Sequence, residues 1–174
     1  MIRHAVIEDL PAIKDIWNYY ILNTTYNYDY EPKSLEFLEE WFHKKATLNL
    51  PVFVVEEEGR LVGYGAYSQF RERNAYAHSA EHGLYFHPDF HGKGLGRELL
   101  NTLLADGKER GFHTFIAVID SSNEGSVIFH EKMGFEKIGQ IKEVGRKNGQ
   151  WLNLVLLQKI ITGSFIIPNE AIIH

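Results

Sequence analysis

The sequence predicts a mixed α+β domain, and three observations lead there. About seven stretches read as strands and about four as helices, in the order β, α, α, three β, α, β, α, β, β. The three consecutive strands are separated by short turns, which implies an antiparallel meander. A leucine-striped helix then leads into the apolar, β-branched run Thr114 to Ile119, the pattern of a buried parallel strand reached by a crossover.

Each element has a local reason. Ile2 to Val6 alternates as a first strand. Asp9 and Pro11 suit a helix start, and Leu10, Ile13, Ile16, Trp17, Tyr20 and Ile21 follow at helical spacing. Thr24 to Asp29 breaks that period and reads as a loop. Ser34 opens a second helix with Leu35, Leu38, Trp41 and Phe42 on one face, and Pro51 ends the connection. Val52 to Val55, Leu61 to Phe70 and Ala77 to Phe86 form the meander, with turns at Glu57 to Arg60 and a charged loop at Arg71 to Asn74; Pro88 stops it. The third helix carries Leu95, Leu99, Leu100, Leu103 and Leu104 and stops at Gly111. A short helix, Asn123 to Met133, is closed by Gly134. Phe135 to Val144 and Trp151 to Ile161 are the last strands, around a turn at Gly145 to Gly149.

The 174 residues form a single domain on this reading, 1–174, with a core of about 2–159 and a tail, 160–174, that receives no role. Hydrophobic residues at 44% and charged residues at 24% exclude general disorder. A net charge of −5 argues against nonspecific nucleic-acid binding. The absence of cysteine excludes disulfides, thiolate metal sites and a cysteine nucleophile. No apolar run approaches the roughly 18 residues that span a bilayer. The first residues enter folded pattern directly, so the expected location is cytoplasmic.

The chemistry concentrates in Tyr85-Phe86-His87-Pro88-Asp89-Phe90-His91-Gly92-Lys93-Gly94-Leu95-Gly96-Arg97. A strand ends, glycines alternate and a helix begins. Backbone N–H groups converging at a helix N-terminus make an anion site suited to phosphate, with Lys93 and Arg97 adding charge. A Walker loop is absent. A G-x-G-x-x-G fingerprint fails, because its third glycine falls on Arg97 or Leu99. Asp120, at the end of the next strand, keeps a ribose-binding alternative open. His78, His82, His87 and His91 do not form a metal-binding spacing: His78 and His82 share a strand face while Glu81 points the other way.

Strand, Gly-x-Gly-x-Gly turn, Leu-rich helix, strand, Asn, short helix and Gly-Phe, in that order, resemble the GNAT superfamily of N-acetyltransferases. The usual turn is Gln/Arg-x-x-Gly-x-Gly/Ala; here it reads His91-Gly92-Lys93-Gly94-Leu95-Gly96, with matching glycines and a different leading position. Further blocks are similar to the phosphinothricin and methionine sulfone/sulfoximine N-acetyltransferase branch: Ile16 to Tyr20, Asn23 to Thr25, Glu31-Pro32, Arg73 to Tyr76, Glu81 to Phe86, Ala117 to Ile119, His130 to Phe135 and Gly149 to Asn153. The branch often carries Asp where Asn153 stands. Together these blocks cover roughly Ile2 to Lys159.

The resemblance implies the GNAT acyl-CoA N-acyltransferase fold and acetyl-CoA as cosubstrate, with no metal. It places the acetyl-CoA pyrophosphate on His91, Gly92, Lys93, Gly94, Leu95, Gly96 and Arg97. Backbone groups of Leu84, Tyr85 and Phe86 would face the thioester, and Asn123 the pantetheine amides. Glu81 would deprotonate the amine, and His130 would protonate the departing thiolate. Arg71, Arg73 and Tyr76 are read as acceptor-binding, since an Arg fork suits a carboxylate or phosphinate. Trp17, Tyr26, Tyr28 and Tyr30 are candidates for the acceptor pocket. The expected acceptor is a small amino-acid-like amine, the expected assembly a homodimer. Acetylation of a polyamine or protein N-terminus, and noncatalytic acyl-CoA sensing, stand as alternatives.

Overall fold

The computed structural model describes residues 1–162, so the tail expected from 160 lies outside the described residues beyond its first three. The strands are β1 (Ile2–His4), β2 (Val52–Glu57), β3 (Arg60–Gln69), β4 (Ser79–Phe86), β5 (Thr114–Asp120), β6 (Glu136–Lys147) and β7 (Gln150–Ile160). The helices are α1 (Leu10–Asn23), α2 (Leu35–Thr47), α3 (Leu95–Glu109) and α4 (Glu124–Lys132). The strands make one sheet in the order β1-β2-β3-β4-β5-β7-β6. Among the described residues, only the β4–β5 pair is parallel. The α+β expectation is met.

The two faces of the sheet carry different partners. On one face, Leu99, Leu100 and Leu103 of α3 pack with Tyr67, Phe115 and Leu157, and Phe129 of α4 joins them. On the other, Leu10, Ile13 and Ile16 of α1 and Leu38 of α2 cover Val54 and Tyr64. Strand alternation sorts the residues: in β4, His82 goes to the α3 face, while Tyr85 meets Tyr64 and Tyr20 on the α1/α2 face. Ser34 caps α2 by accepting from Phe37 N at 3.1 Å.

Three local expectations change. β1 stops at His4, and Asp9 does not cap α1 with its carboxylate. That carboxylate accepts from Val6 N and pairs with Arg3 at 2.7 Å, which bends the chain into the helix. The last hairpin turns later than expected, at Asn148-Gly149. Both residues have positive φ, as a two-residue type I′ turn requires, and Gly145 lies inside β6. The connection after α1 is a loop as expected, and it is pinned: Lys147 Nζ donates to the carbonyls of Ile21 and Asn27 at 2.7 Å each.

Gly107, inside α3, faces Phe115, and a Cβ there would lie 2.5 Å from the ring. Alanine would gain about 1 kcal/mol of helix propensity. Overpacking against Phe115, itself wedged by Tyr67 and Phe112, costs about 1–3 kcal/mol. Gly107→Ala is therefore expected to lower the denaturation midpoint; a rise in chemical denaturation curves would show that Phe115 moves aside freely.

Candidate active site

The site begins where the sheet comes apart. β4 and β5 pair only at Ser79–Thr114, Ala80–Phe115 and Glu81–Ile116. Both strands continue beyond, β4 held by β3 to Phe86 and β5 held by β7 to Asp120, with no pairing between them. The backbone of Ser79 and of His87 bonds toward β3, so odd-numbered residues of β4 face β3 and even-numbered ones face the opening. Leu84 and Phe86 thus turn N–H and C=O groups into the gap. The Tyr85 backbone is taken up by β3, which narrows the expected set of three to two. The Phe86 carbonyl is already capped by Tyr20 OH at 2.8 Å. A cavity of about 900 Å³ runs through the opening, reaching Glu81, Leu84, Gly94, Asn123 and His130.

At one end lies the glycine turn. Gly92 and Gly94 both have φ of +80°, and Gly94 is the N-cap of α3. An L side chain is strained in that region. Among the described residues, the amides of Gly92, Lys93, Gly94, Leu95 and Gly96 donate to no carbonyl, and no atom lies where a Cβ at Gly92 or Gly94 would sit. Unpaired N–H groups at a positive helix end, with open space before them, fit a diphosphate. His91 does not simply line this cradle. Its Nε2 is 3.1 Å from Tyr20 OH. Because that hydroxyl gives its proton to Phe86, the imidazole must be the donor, and α1 is stitched to the turn. Lys93 leans over the Phe90 ring and lies 3.6 Å from Glu57, while Arg97 is exposed at the mouth.

Glu81 stands at the last paired position, on the α1/α2 face and opposite Ser68 of β3. Solvent reaches it through the cavity, yet the surrounding protein raises its pKa above the ordinary carboxylate value; the Arg71 guanidinium pulls the other way. Tyr85, Tyr64, Trp17 and Trp41 form an aromatic wall beside it. Of the candidate acceptor aromatics, Trp17 and Tyr26 line the cavity. Tyr28 OH is instead bonded to Asp120 at 2.9 Å, and Tyr30 OH to the Arg146 carbonyl. Asp120 also accepts from Ser122 N at 2.9 Å, so its carboxylate is committed and the ribose alternative loses its acid.

The Arg71–Tyr76 loop sits at the rim. Gln69 Nε2 fastens the carbonyls of Arg71 and Arg73, and Arg71 and Tyr76 both lie against Phe70. The side chains of Arg71, Arg73 and Tyr76 are exposed and none lines the cavity. Asn123 lines it, but its Oδ1 accepts from Ser126 N at 3.2 Å and caps α4.

His130 is on the α3 face, buried, with both nitrogens engaged. Nδ1 is 2.8 Å from the Ser126 carbonyl, so it carries the proton. Nε2 is 3.0 Å from His82 Nε2 and must accept from it. That leaves His82 Nδ1 buried without a partner. Burial pushes His130 below the ordinary histidine value, and burial and the neighbouring His130 push His82 down to about 3. A standing imidazolium on His130 is thus disfavoured at neutral pH, a narrower acid role than the sequence suggested. The other histidines are engaged separately: His78 with the Gly111 carbonyl, and His87 with Asp89 N. In ring-nitrogen NMR spectra at pH 6.5, His82 and His130 are expected to be neutral, protonated on Nε2 and Nδ1 respectively. Imidazolium signals there would contradict this assignment.

Sequence reasoning missed Tyr20, Lys45 and the partnership of His82 with His130. Tyr20 reads as helix filling and Lys45 as a solvated helix end; only the tertiary fold turns them inward.

Known proteins bear on this geometry. Residues 14–135 match the model of the acetyltransferase (GNAT) family. An L-methionine sulfoximine/L-methionine sulfone acetyltransferase of Pseudomonas aeruginosa is 36% identical over 158 residues, covering 90% of this chain and 92% of that protein. A GNAT superfamily phosphinothricin acetyltransferase from Sinorhizobium meliloti, solved in complex with acetyl-CoA, superposes with a TM-score of 0.88 at 34% identity, over 92% of this chain and 87% of that one. A structure named ribosomal-protein-alanine N-acetyltransferase, from Brucella melitensis, gives a TM-score of 0.90 at 39% identity, over 92% and 99%. With the parted strands, the glycine cradle and a family match over most of its length, the chain belongs to the acetyltransferase (GNAT) family.

Proposed function

We propose that this chain, acting as one domain, transfers acetyl from acetyl-CoA to the amino group of a small amino-acid-like acceptor, by direct attack within a ternary complex. The observation that carries the reading is the placement of Glu81 and the α3 cradle at two ends of one cavity that threads the gap between β4 and β5. Acetyl-CoA would lay its diphosphate on Gly92 to Gly96 and its thioester in the gap, with the Leu84 N–H toward the carbonyl oxygen. The amine nitrogen forms a bond to the acetyl carbon, and the carbon–sulfur bond breaks. The amine proton goes to Glu81, directly or through water, and the thiolate takes a proton. His130, on the thiol side, is the assigned donor: it rests neutral, passes a proton to the thiolate and takes that proton from solvent through the cavity it lines, while Glu81 returns the amine proton to solvent. Asn123 would meet the pantetheine through its NH₂ group. Arg71, Arg73 and Tyr76 would attract an anionic acceptor to the rim.

The acceptor class rests on relatives named for methionine sulfoximine, methionine sulfone and phosphinothricin. A second reading, acetylation of a protein N-terminus, is favoured by the neighbour named for ribosomal-protein alanine. Thiol release from acetyl-CoA, measured across amino acids, alanine-initiated peptides and polyamines, separates them. Turnover confined to peptides would displace the amino-acid reading. We further propose a cytoplasmic location, where acetyl-CoA is available, and a homodimer, in which the exposed Ile138, Ile141 and Val144 of edge strand β6 would be covered. No helix among the described residues is long and apolar enough to cross a membrane.

Two variants test the chemistry. Glu81→Gln is expected to lower kcat/KM by about 10²–10⁴-fold, with the KM for acetyl-CoA little changed. In the wild type, kcat/KM rises with pH as Glu81 ionises, above the ordinary carboxylate range because its pKa is raised. The ionised form of such a group costs stability at pH 7, so Glu81→Gln melts no lower than the wild type. Unchanged turnover would remove Glu81 as base. Gly94→Val strains a φ of +80° and fills the cradle. It is expected to raise the KM for acetyl-CoA at least about tenfold in initial-rate assays, as loss of one or two charge-assisted bonds would. An unaltered KM would move the diphosphate elsewhere.

A further inference from the structure

Lys45, near the C-terminal end of α2, is a buried ammonium without an acidic partner among the described residues. Its Nζ donates to the Tyr67 carbonyl and to Ser68 Oγ, both at 2.6 Å, and both acceptors are neutral. An ammonium has three N–H donors, so one is left over. Lys45 lines the same cavity as Glu81, with Trp41 beside it. The Ser68 that anchors it stands directly across the β3–β4 ladder from Glu81, on the same sheet face. Burying a charge is costly unless something answers it, and the negative end of α2 and two neutral oxygens do so only in part.

We propose that Lys45 completes its shell with the carboxylate of the acceptor, and so selects amino acids over other amines. The inference rests on the acetyltransferase reading and names the chemical class its acceptor site takes. The two oxygens fix the ammonium from behind and the third N–H is free for a charge-assisted bond. With the amine directed to Glu81 and the carboxylate to Lys45, the acceptor's side chain is left to the aromatic wall of Trp17, Trp41 and Tyr85. Three different contacts around one carbon also discriminate its two enantiomers. The same charge works against polyamines, whose second cation would lie against a buried ammonium that cannot be screened. Arg71, out on the rim, collects anions; Lys45 reads them inside.

The test compares an amino acid, methionine sulfone, with its carboxamide, which keeps the amine and side chain and loses the charge. Wild type is expected to favour the acid in kcat/KM on the order of tenfold to a hundredfold. Lys45→Met should abolish that ratio mainly by raising the acid's KM, with the acetyl-CoA KM unchanged and melting near the wild-type temperature. Lys45→Arg should retain part of the ratio, which a purely structural tether would not do. A Lys45→Met enzyme that keeps the wild-type ratio overturns the proposal. So does a wild type with no preference for the acid, a result that does not depend on how the variants fold. Failure of the wild type to acetylate either compound would instead overturn the amino-acid-acceptor reading beneath it.

Discussion

The parting of β4 from β5 after a single short stretch of parallel pairing is the constraint on which everything else depends. A sheet interior normally satisfies every backbone group. Here Leu84 and Phe86 lose their partner while β3 and β7 keep the two strands fixed. The molecule offsets part of this through Tyr20, which caps the Phe86 carbonyl, and through α4, which closes the α3 side with Phe129 and His130. What remains unpaired is the stretch around Leu84, where a thioester carbonyl is proposed to lie. The defect in the ladder and the proposed reaction centre occupy the same place.

Strand alternation turns this gap into a partition. Glu81 and Ser68 face α1 and α2, whereas His82 looks toward α3 and meets His130. Titratable groups on adjacent residues, Glu81 and His82, therefore live in different environments. On one side a carboxyl is raised by burial beside aromatic rings. On the other, two imidazoles are held neutral against each other. The proposed base and the proposed thiolate side are thus kept apart by the sheet itself, which suits a reaction that removes a proton at one atom and returns one at another.

Much of this was legible in the amino-acid order, for physical reasons. Gly92, Gly94 and Gly96 before a leucine stripe could hardly read as anything but a turn into a helix, and Ile116 to Ile119 could hardly be anything but a buried strand. Hairpin chemistry was less transparent. Gly145 looked like the turn, but Asn148-Gly149 supplies the two left-handed residues and Gly145 gives way to the Tyr28 ring instead. The site was legible at Glu81 because it precedes the turn on the same strand. It was illegible at Lys45, which lies in a run, His43-Lys44-Lys45, indistinguishable from a solvated helix end until α2 is docked on β3. The arginine loop was legible as a concentration of charge before β4, but its place on the rim was not, because that rests on Gln69 fastening the carbonyls of Arg71 and Arg73.

The hydroxyl of Tyr20 touches both a strand that borders the gap and the imidazole that begins the glycine turn. Through it, α1, which walls the cavity, is fastened to the glycine turn on which the nucleotide is proposed to rest. A change at Tyr20 is consequently felt at both ends at once, because one hydroxyl serves the Phe86 carbonyl and the His91 ring together.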